Sequence, residues 1–439
     1  MNIDQITKGK VKFLTLGCRL NQYETQAMRE NLLGDGYREA RDTERPDVFV
    51  INTCTVTADA DKNSRYLIRK CQRENPNAKV VVTGCYVERD YKTVAKMPGV
   101  THVVLNRQKP ELADLLDSCT QLTFEAAHPA LRSKADFVPL EISEFSGRVR
   151  ANIKIQDGCN HACSFCKVVL VRGKSRSRQV ADILEEAKRL RDHGYVEVVL
   201  TGIQLGAYGL DFGETNALSN LMEELSKIDG IERIRLSSIE PNDVTHSLIE
   251  SMKHIPKVCH HLHIPLQSGS NQILKAMNRR YQREKYLELV NHLNEHLDSF
   301  ILTTDVMVGF PEETDEDFRQ TADLLLEARP FKLHIFPYSA REGTKAFSSK
   351  SPAADILQKR RNILLELEKK LRHEIQISYL GTRLKILIED KTRSGRSEGR
   401  ASNYLPVQVA SPSLLRVGGS YDVEVRSLKE DILMGEIVL

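Results

Sequence analysis

Three cysteines stand within eight residues in the stretch Cys159-Asn160-His161-Ala162-Cys163-Ser164-Phe165-Cys166, spaced three residues and then two apart. Thiolates so placed can wrap one face of a compact metal centre. A fourth ligand at similar spacing is missing, because Lys167 follows and the next cysteine is Cys259. Iron–sulfur clusters as a rule take four cysteine thiolates, so three leave one iron open. An open position marks a centre that binds substrate rather than one that only holds structure. A zinc or disulfide knot is the competing reading, but zinc motifs pair CxxC units and no second pair exists here.

Other cysteines gain meaning from the elements that would position them. From about residue 10 to residue 116, short apolar runs at Val11–Leu16, Val48–Asn52, Val80–Thr83 and Val100–Leu105 alternate with helix-like spacing at Asn21–Gly34 and Ala60–Glu74. Such alternation predicts a parallel sheet covered by helices. Cys18, Cys54 and Cys85 each follow a strand end by one to three residues. The carboxyl ends of parallel strands line one edge, where ligands collect, so these three can converge on a second cluster. Gly17 and Gly84 precede two of them and leave the backbone room beside a bulky ligand. Asn21, Gln22 and Asn52 lie next to these cysteines and are candidates to anchor the loops. Cys71, Cys119 and Cys259 read as plain buried cysteines.

The pattern breaks between residues 121 and 147, which read as a connector. A second domain opens with a strand at Arg150–Gln156 that runs into the cysteine loop. Strands at Glu197–Thr201, Arg233–Ser237, His261–Pro265, Leu302–Val308 and Lys332–Phe336 follow, separated by helical patterns such as Val180–His193, Ala217–Lys227, Asn271–Met277, Glu284–His296 and Glu313–Glu327. Six strand–helix units predict a partial (β/α)6 barrel, with chemistry at the carboxyl ends of its strands. A long charged helix, Ala353–Ile377, closes it. From Gly381 onward, β-rich runs at Arg383–Glu389, Tyr404–Val409, Ser420–Ser427 and Asp431–Val438 predict a small all-β, OB-like barrel. The fold class is therefore α/β with an appended β module.

Composition sets limits on the rest. The chain has 439 residues, 41% hydrophobic and 28% charged, with a net charge of +3, so any basic surface must be local. Nine cysteines without a secretory pattern point to a reducing compartment with metal or redox use. The start, MNIDQITKGKVKFLTLGC, carries no long apolar core, and no run approaches the ~18 apolar residues of a membrane span. A cytoplasmic protein without a membrane partner is expected.

The CxxxCxxC stretch is the signature of radical S-adenosylmethionine enzymes, and the resemblance extends along nearly the whole chain. LGCRLNQYET at Leu16–Thr25, INTCTVTADADKNSR at Ile51–Arg65 and TGCY at Thr83–Tyr86 resemble the N-terminal domain of methylthiotransferases. GRASNYLPVQV at Gly399–Val409 resembles the TRAM RNA-binding domain. TGIQLGAYG (Thr201–Gly209), RLSSIEP (Arg235–Pro241) and FPYSAREGT (Phe336–Thr344) look most like the branch that acts on threonylcarbamoyladenosine in tRNA. The resemblance implies domains at residues 9–120, 148–375 and 376–439. It also implies two [4Fe–4S] clusters, one on Cys159, Cys163 and Cys166 as the catalytic centre and one on Cys18, Cys54 and Cys85. S-adenosylmethionine is the implied co-substrate, yielding a radical that starts exchange of the hydrogen on adenine carbon 2 for a methylthio group at position 37. Implied partners are the tRNA anticodon stem-loop and an electron donor such as a flavodoxin or ferredoxin. Enzymes acting on isopentenyladenosine, or on an aspartate of a ribosomal protein, share this plan and are the alternatives. One local departure is the Lys167-Val-Val-Leu-Val run, where the family often carries an apolar pair, a proline and an aromatic. A non-catalytic, redox-sensing RNA-binding protein would instead need every iron protected.

Site candidates follow from both readings. Phe165 matches an aromatic that the family places beside the cluster, though core filling serves equally. Thr201 and Gly202 close the second barrel strand, where the superfamily meets the methionine amino group. Ser237, Glu240, His263, Gln267 and Asp305 put polar groups at later strand ends, where ribose or carboxylate can be bound. Lys167, Arg172, Lys174, Arg176 and Arg178 give five positive charges with no acid between Asp157 and Asp182, suited to RNA phosphates. In the β module, Arg393, Arg396, Arg400 and Tyr404 are RNA candidates, with Tyr404 available to stack on a base. Residues 375–439 hold nine basic and eight acidic side chains, so charge alone does not mark that module.

Overall fold

A computed structural model describes residues 7–117, 137–391, 395–410 and 415–438. The N-terminal domain is a parallel five-stranded sheet in the order β2-β1-β3-β4-β5, formed by Gly9–Thr15 (β1), Tyr37–Glu39 (β2), Val48–Thr53 (β3), Lys79–Gly84 (β4) and His102–Val104 (β5). β3, VFVINT, is buried along its full length, as a central strand covered on both faces must be. One face packs Phe49, Ile51, Val80 and Val82 under the helix Ala58–Glu74 through Ile68 and Cys71. The other packs Val11, Val50 and Val81 against Met28 and Leu32 of the helix Arg19–Gly34. The edge strand β2 escaped the sequence reading, because three residues are too few to show a period.

Six parallel strands form the second domain: Arg150–Lys154 (β6), Glu197–Thr201 (β9), Arg233–Leu236 (β10), His261–His263 (β11), Ile301–Val308 (β12) and Lys332–Pro337 (β13). Two three-stranded sheets, β10-β9-β6 and β11-β12-β13, are joined by parallel bridges Ile234↔Val258 and Ser238↔His263. The strands thus follow chain order around an open arc, the partial barrel expected. Gln156–Asp157 (β7) splits from the first predicted strand and pairs antiparallel with Arg176–Ser177 (β8), making a small ribbon that carries the cysteine loop between its strands. Helices on the outside bury one continuous apolar core against the arc, and Tyr23 and Ala27 of the N-terminal helix belong to that core. The helix His246–His254 was not foreseen.

The helix Ala354–Ser378 leads to a closed barrel in the order β14-β15-β16-β18-β17, made of Arg383–Lys391, Ser397–Ala401, Pro406–Val409, Ile432–Ile437 and Ser420–Lys429 respectively. This module sits at the amino ends of the arc's strands. Arg233, the first residue of β10, donates to Lys385 O at 2.6 Å and Arg400 O at 3.0 Å. Arg235 donates to Ser402 O at 2.9 Å, and Arg150, the first residue of β6, pairs with Glu389 at 3.1 Å. The cysteine loops lie at the opposite end.

Candidate active site

The N-terminal trio is assembled by three strand ends. Cys18 is the N-cap of the helix Arg19–Gly34 and is exposed, while Cys54 and Cys85 are buried. Asn21 ties the loops together, donating to Leu16 O at 2.8 Å and Thr53 O at 3.0 Å. Asn52 answers with a bond to Asn21 O at 2.9 Å, and Gln22 engages through its backbone N–H on Cys18 O at 3.1 Å. Gly84 has φ +99°, and a Cβ there would stand 2.3 Å from Thr53 O. At Gly17 a Cβ would meet Cys54 Cβ at 2.9 Å. Both glycines are therefore required by the close approach of the loops that present the thiols.

The core trio hangs from the β7–β8 ribbon. Cys159 N–H donates to Gly173 O at 3.0 Å, Ser164 N–H to Met277 O at 3.0 Å, and Asn278 Nδ2 to Ala162 O at 2.7 Å, so the loop is fixed on both sides. Burial pushes the Cys54 and Cys159 thiols up to about 11 and Cys166 up to about 12. Without a bound cation these sulfurs stay protonated at neutral pH, so charge from a metal centre is what would make them thiolates. Among the described residues, neither trio has its three sulfurs within 4.8 Å of one another. A single tetrahedral zinc with bonds of about 2.3 Å holds its sulfurs about 3.8 Å apart. Sulfurs too far apart for one zinc and an all-thiol donor set fit a polynuclear cluster in each trio, and Gly17 and Gly84 permit the close loop approach at the N-terminal one.

Polar groups at the other strand ends differ in how much they leave free. Ser237 Oγ and Gln267 Oε1 are buried without a hydrogen-bond partner, and Gln267 holds φ +64°; both are open to a ligand. His263 bonds Thr303 Oγ1 at 3.0 Å and Asp305 at 3.1 Å. Thr201 Oγ1 donates to Val199 O at 3.1 Å, and Gly202 lies against Gln156, where a Cβ would meet Oε1 at 2.8 Å. Glu240 is paired with Arg279, whose Nη1 also reaches Cys163 Sγ at 3.5 Å. Nothing in the sequence around Arg279 marked it. Phe165 packs edge-on to Phe310, ring centroids 6.4 Å apart, in a cluster with Ile273 and Met277, so its surroundings are those of core filling.

The basic run after Cys166 requires a correction. Arg172 and Arg178 are 4% and 2% exposed and turn inward, away from any RNA phosphate. Arg178 donates to Glu186 Oε2 at 2.7 Å, and Arg172 enters a buried charge network with Glu24 and Asp157. Lys167 is buried as well, and burial, with Arg89 and Arg341 nearby, lowers its ammonium to about 8. Lys174 is exposed and Arg176 half-buried beside Asp157. Tyr404 is likewise engaged: it stacks on His261 with centroids 4.5 Å apart and is flanked by Arg150, Arg235 and Arg400. It cannot stack on a base in this arrangement. Arg396 is half-buried near Met434; Arg393 and Cys119 lie outside the described residues. Cys71 and Cys259 are buried.

A strand arc with a three-cysteine loop at its carboxyl end defines a radical S-adenosylmethionine enzyme, and the sequence profile of the Radical SAM superfamily matches residues 153–325. The profile described as Uncharacterized protein family UPF0004 matches residues 10–106. The threonylcarbamoyladenosine tRNA methylthiotransferase MtaB of Bacillus subtilis is 38% identical over 90% of this chain and 89% of its own length. MtaB of Aquifex aeolicus is 40% identical over 88% and 94%. A tRNA-2-methylthio-N(6)-dimethylallyladenosine synthase of Acetivibrio thermocellus is 34% identical over 99% and 92%. Among solved structures, the radical S-adenosylmethionine methyltransferase TsrM of Kitasatospora setae superposes with a TM-score of 0.56 at 15% identity, over 77% of each chain, a likeness of fold. The chain belongs to the radical SAM tRNA methylthiotransferases.

Proposed function

We propose that this protein replaces the hydrogen on carbon 2 of N6-threonylcarbamoyladenosine, at position 37 of tRNA, with a methylthio group. The observation that carries the reading is the pair of three-thiol sites on neighbouring loops of two domains, each one ligand short of closing a four-iron cluster. Identities of 38% and 40% to relatives named for threonylcarbamoyladenosine, against 34% to one named for dimethylallyladenosine, favour this substrate. Cys159, Cys163 and Cys166 would hold one [4Fe–4S] cluster, and Cys18, Cys54 and Cys85 the other. When bound, the two clusters and S-adenosylmethionine supply one-electron chemistry on an unreactive C–H bond and a sulfur to transfer.

The remaining work falls to the chain. Ser237 and Gln267 offer free buried polar atoms to S-adenosylmethionine, with Thr201, Gly202, Glu240, His263 and Asp305 shaping the same mouth. Loop FPYSAREGT clasps the N-terminal domain beside Cys54: Arg341 donates to Thr55 O at 2.8 Å and Asp61 at 2.7 Å, and Ser339 Oγ accepts from Ala58 N at 3.1 Å. The clasp holds the loop that carries Cys54 against the barrel domain. We assign residues 9–120, 148–375 and 376–439 to the methylthiotransferase, radical SAM and TRAM domains. Lys174, Arg176, Arg396 and Arg400 remain the candidates for RNA. No helix among the described residues is long and apolar enough to cross a membrane. We further propose a cytoplasmic location, a tRNA anticodon stem-loop as partner and a flavodoxin- or ferredoxin-type electron donor.

Mass spectrometry of tRNA nucleosides from cells with and without this gene tests the reading. Loss of methylthio-threonylcarbamoyladenosine with accumulation of its precursor is expected. Loss of the isopentenyl derivative instead would overturn the substrate, and an unchanged nucleoside profile would overturn tRNA as the target.

A further inference from the structure

Arg172 ends the short helix Val168–Arg172 that follows Cys166, and its side chain crosses from the barrel into the N-terminal domain. A guanidinium has five N–H donors, and all five find acceptors. Nε donates to Cys85 Sγ at 3.4 Å. Nη1 donates to Glu24 Oε1 at 2.6 Å and to Asp157 at 3.3 Å. Nη2 donates to Asn21 Oδ1 at 2.7 Å and Glu24 Oε2 at 3.1 Å. The side chain is 1% exposed.

Charge in this pocket does not cancel without sulfur. Arg172, Lys109 and Lys154 are buried cations, Glu24 and Asp157 the buried carboxylates, and Arg176 adds a positive charge from the rim. At least one positive charge is in excess, and the Cys85 sulfur lies against it. Hydrogen bonds to cluster sulfurs and nearby charge set the reduction potential of iron–sulfur centres. A buried cation favours the reduced, more negative state. The same segment also grips the other trio. Gly173 O accepts from Cys159 N–H at 3.0 Å, and a Cβ on Gly158 would stand 2.0 Å from Lys174 O. Movement of Arg172 would therefore drag the first ligand of the core trio.

We propose that Arg172 is a positioning residue shared by the two centres: it raises the reduction potential of the cluster held by Cys18, Cys54 and Cys85, and fixes that cluster against the Cys159 loop. This rests on the reading of the N-terminal trio as a cluster site. The test uses full-length protein reconstituted anaerobically with iron and sulfide. Wild type should bind about eight irons and Cys85→Ala about four; a Cys85→Ala protein with wild-type iron would defeat the cluster reading itself, whatever Arg172 does. With that arm passed, the N-terminal cluster is read alone by potentiometric EPR in a Cys159→Ala/Cys163→Ala/Cys166→Ala background. Arg172→Gln should titrate at lower potential, with Arg172→Lys between it and the parent. Selective loss of N-terminal iron in Arg172→Gln, with Arg172→Lys loaded and shifted down, supports the same role. Potentials equal to the parent in both variants would overturn it. So would loss of iron from both sites together with loss of the cooperative unfolding transition in each Arg172 variant of the otherwise wild-type chain, since Arg172 would then serve folding alone.

Discussion

Glu24 joins the N-terminal domain to the barrel, and its removal has a cost that can be worked out in advance. The carboxylate is 1% exposed. It receives Lys109 of its own domain, Lys154 of β6 at 2.9 Å and Arg172 at 2.6 and 3.1 Å. Burial alone would raise its pKa, yet Arg172, Lys109 and Lys154 hold it well below the usual 4.5. Glu24→Ala would leave three buried cations facing Asp157 alone. Removing one partner of a buried pair costs about 3–5 kcal/mol, and with three cations affected we expect about 4 kcal/mol or more. That is a large part of the roughly 5–15 kcal/mol that holds a domain folded. Glu24→Gln keeps the shape and some hydrogen bonds, and about 2 kcal/mol is expected. Urea unfolding of the reduced apo-protein, followed by circular dichroism and by proteolysis at the domain junction, reads the difference. The folded pKa is depressed, so this stabilisation is present above about pH 4.5 and is lost as pH falls towards the folded value. Wild type and Glu24→Gln should therefore converge in acid. A loss below about 1 kcal/mol for Glu24→Ala, or no coupling in a Glu24→Gln/Lys154→Met cycle, would refute the reasoning.

Three further outcomes follow from single contacts. Gly84→Ala places a Cβ 2.3 Å from Thr53 O at φ +99°; iron uptake by the N-terminal trio should drop by about half or more, with the core cluster's iron unchanged in the same assay. Burial pushes Glu186 up to about 7, so between pH 4.5 and 7 the folded state holds a proton that the unfolded state has released. Thermal stability should fall as pH rises through that window, and Glu186→Gln should flatten the slope. Tyr404→Ala removes a ring stacked on His261 and should cost about 3 kcal/mol of stability. Its effect on tRNA affinity, measured by filter binding where the variant is folded, should stay within about threefold.

Strand positions were legible because buried parallel strands are continuous apolar runs. β3, β4, β9 and β12 begin and end within a residue or so of the expected spans. β15, SEGRA, was not foreseen, since its sequence carries no apolar alternation and its place depends on closure of the barrel. The positions of Cys18, Cys54 and Cys85 just past strand ends, and of Cys159, Cys163 and Cys166 on one loop, were legible from spacing. The basic run after Cys166 was misread because its counter-charge is remote: Glu24 lies 148 residues before Arg172, and a local count of acids cannot see it. Tyr404 was misread for the same reason, since His261 and Arg235 come from another domain. Arg279 carries no motif, and its bond to Cys163 exists only after the helix Asn271–Ala276 has docked on the loop.

The C-terminal barrel closes the amino ends of the strands while both trios open at the carboxyl ends. β12, the longest strand of the arc, has eight residues, and at a rise of about 3.3 Å its ends are separated by roughly 23 Å. The arc is thus a spacer of fixed height. An RNA that touches the C-terminal barrel while offering a base to the cysteine mouth must run along the outside of the domain for that distance. A compact hairpin loop cannot do so by itself, whereas the stem beneath it can lie along that length. Length of the stem, and not only the sequence of the loop, then becomes something this molecule can measure.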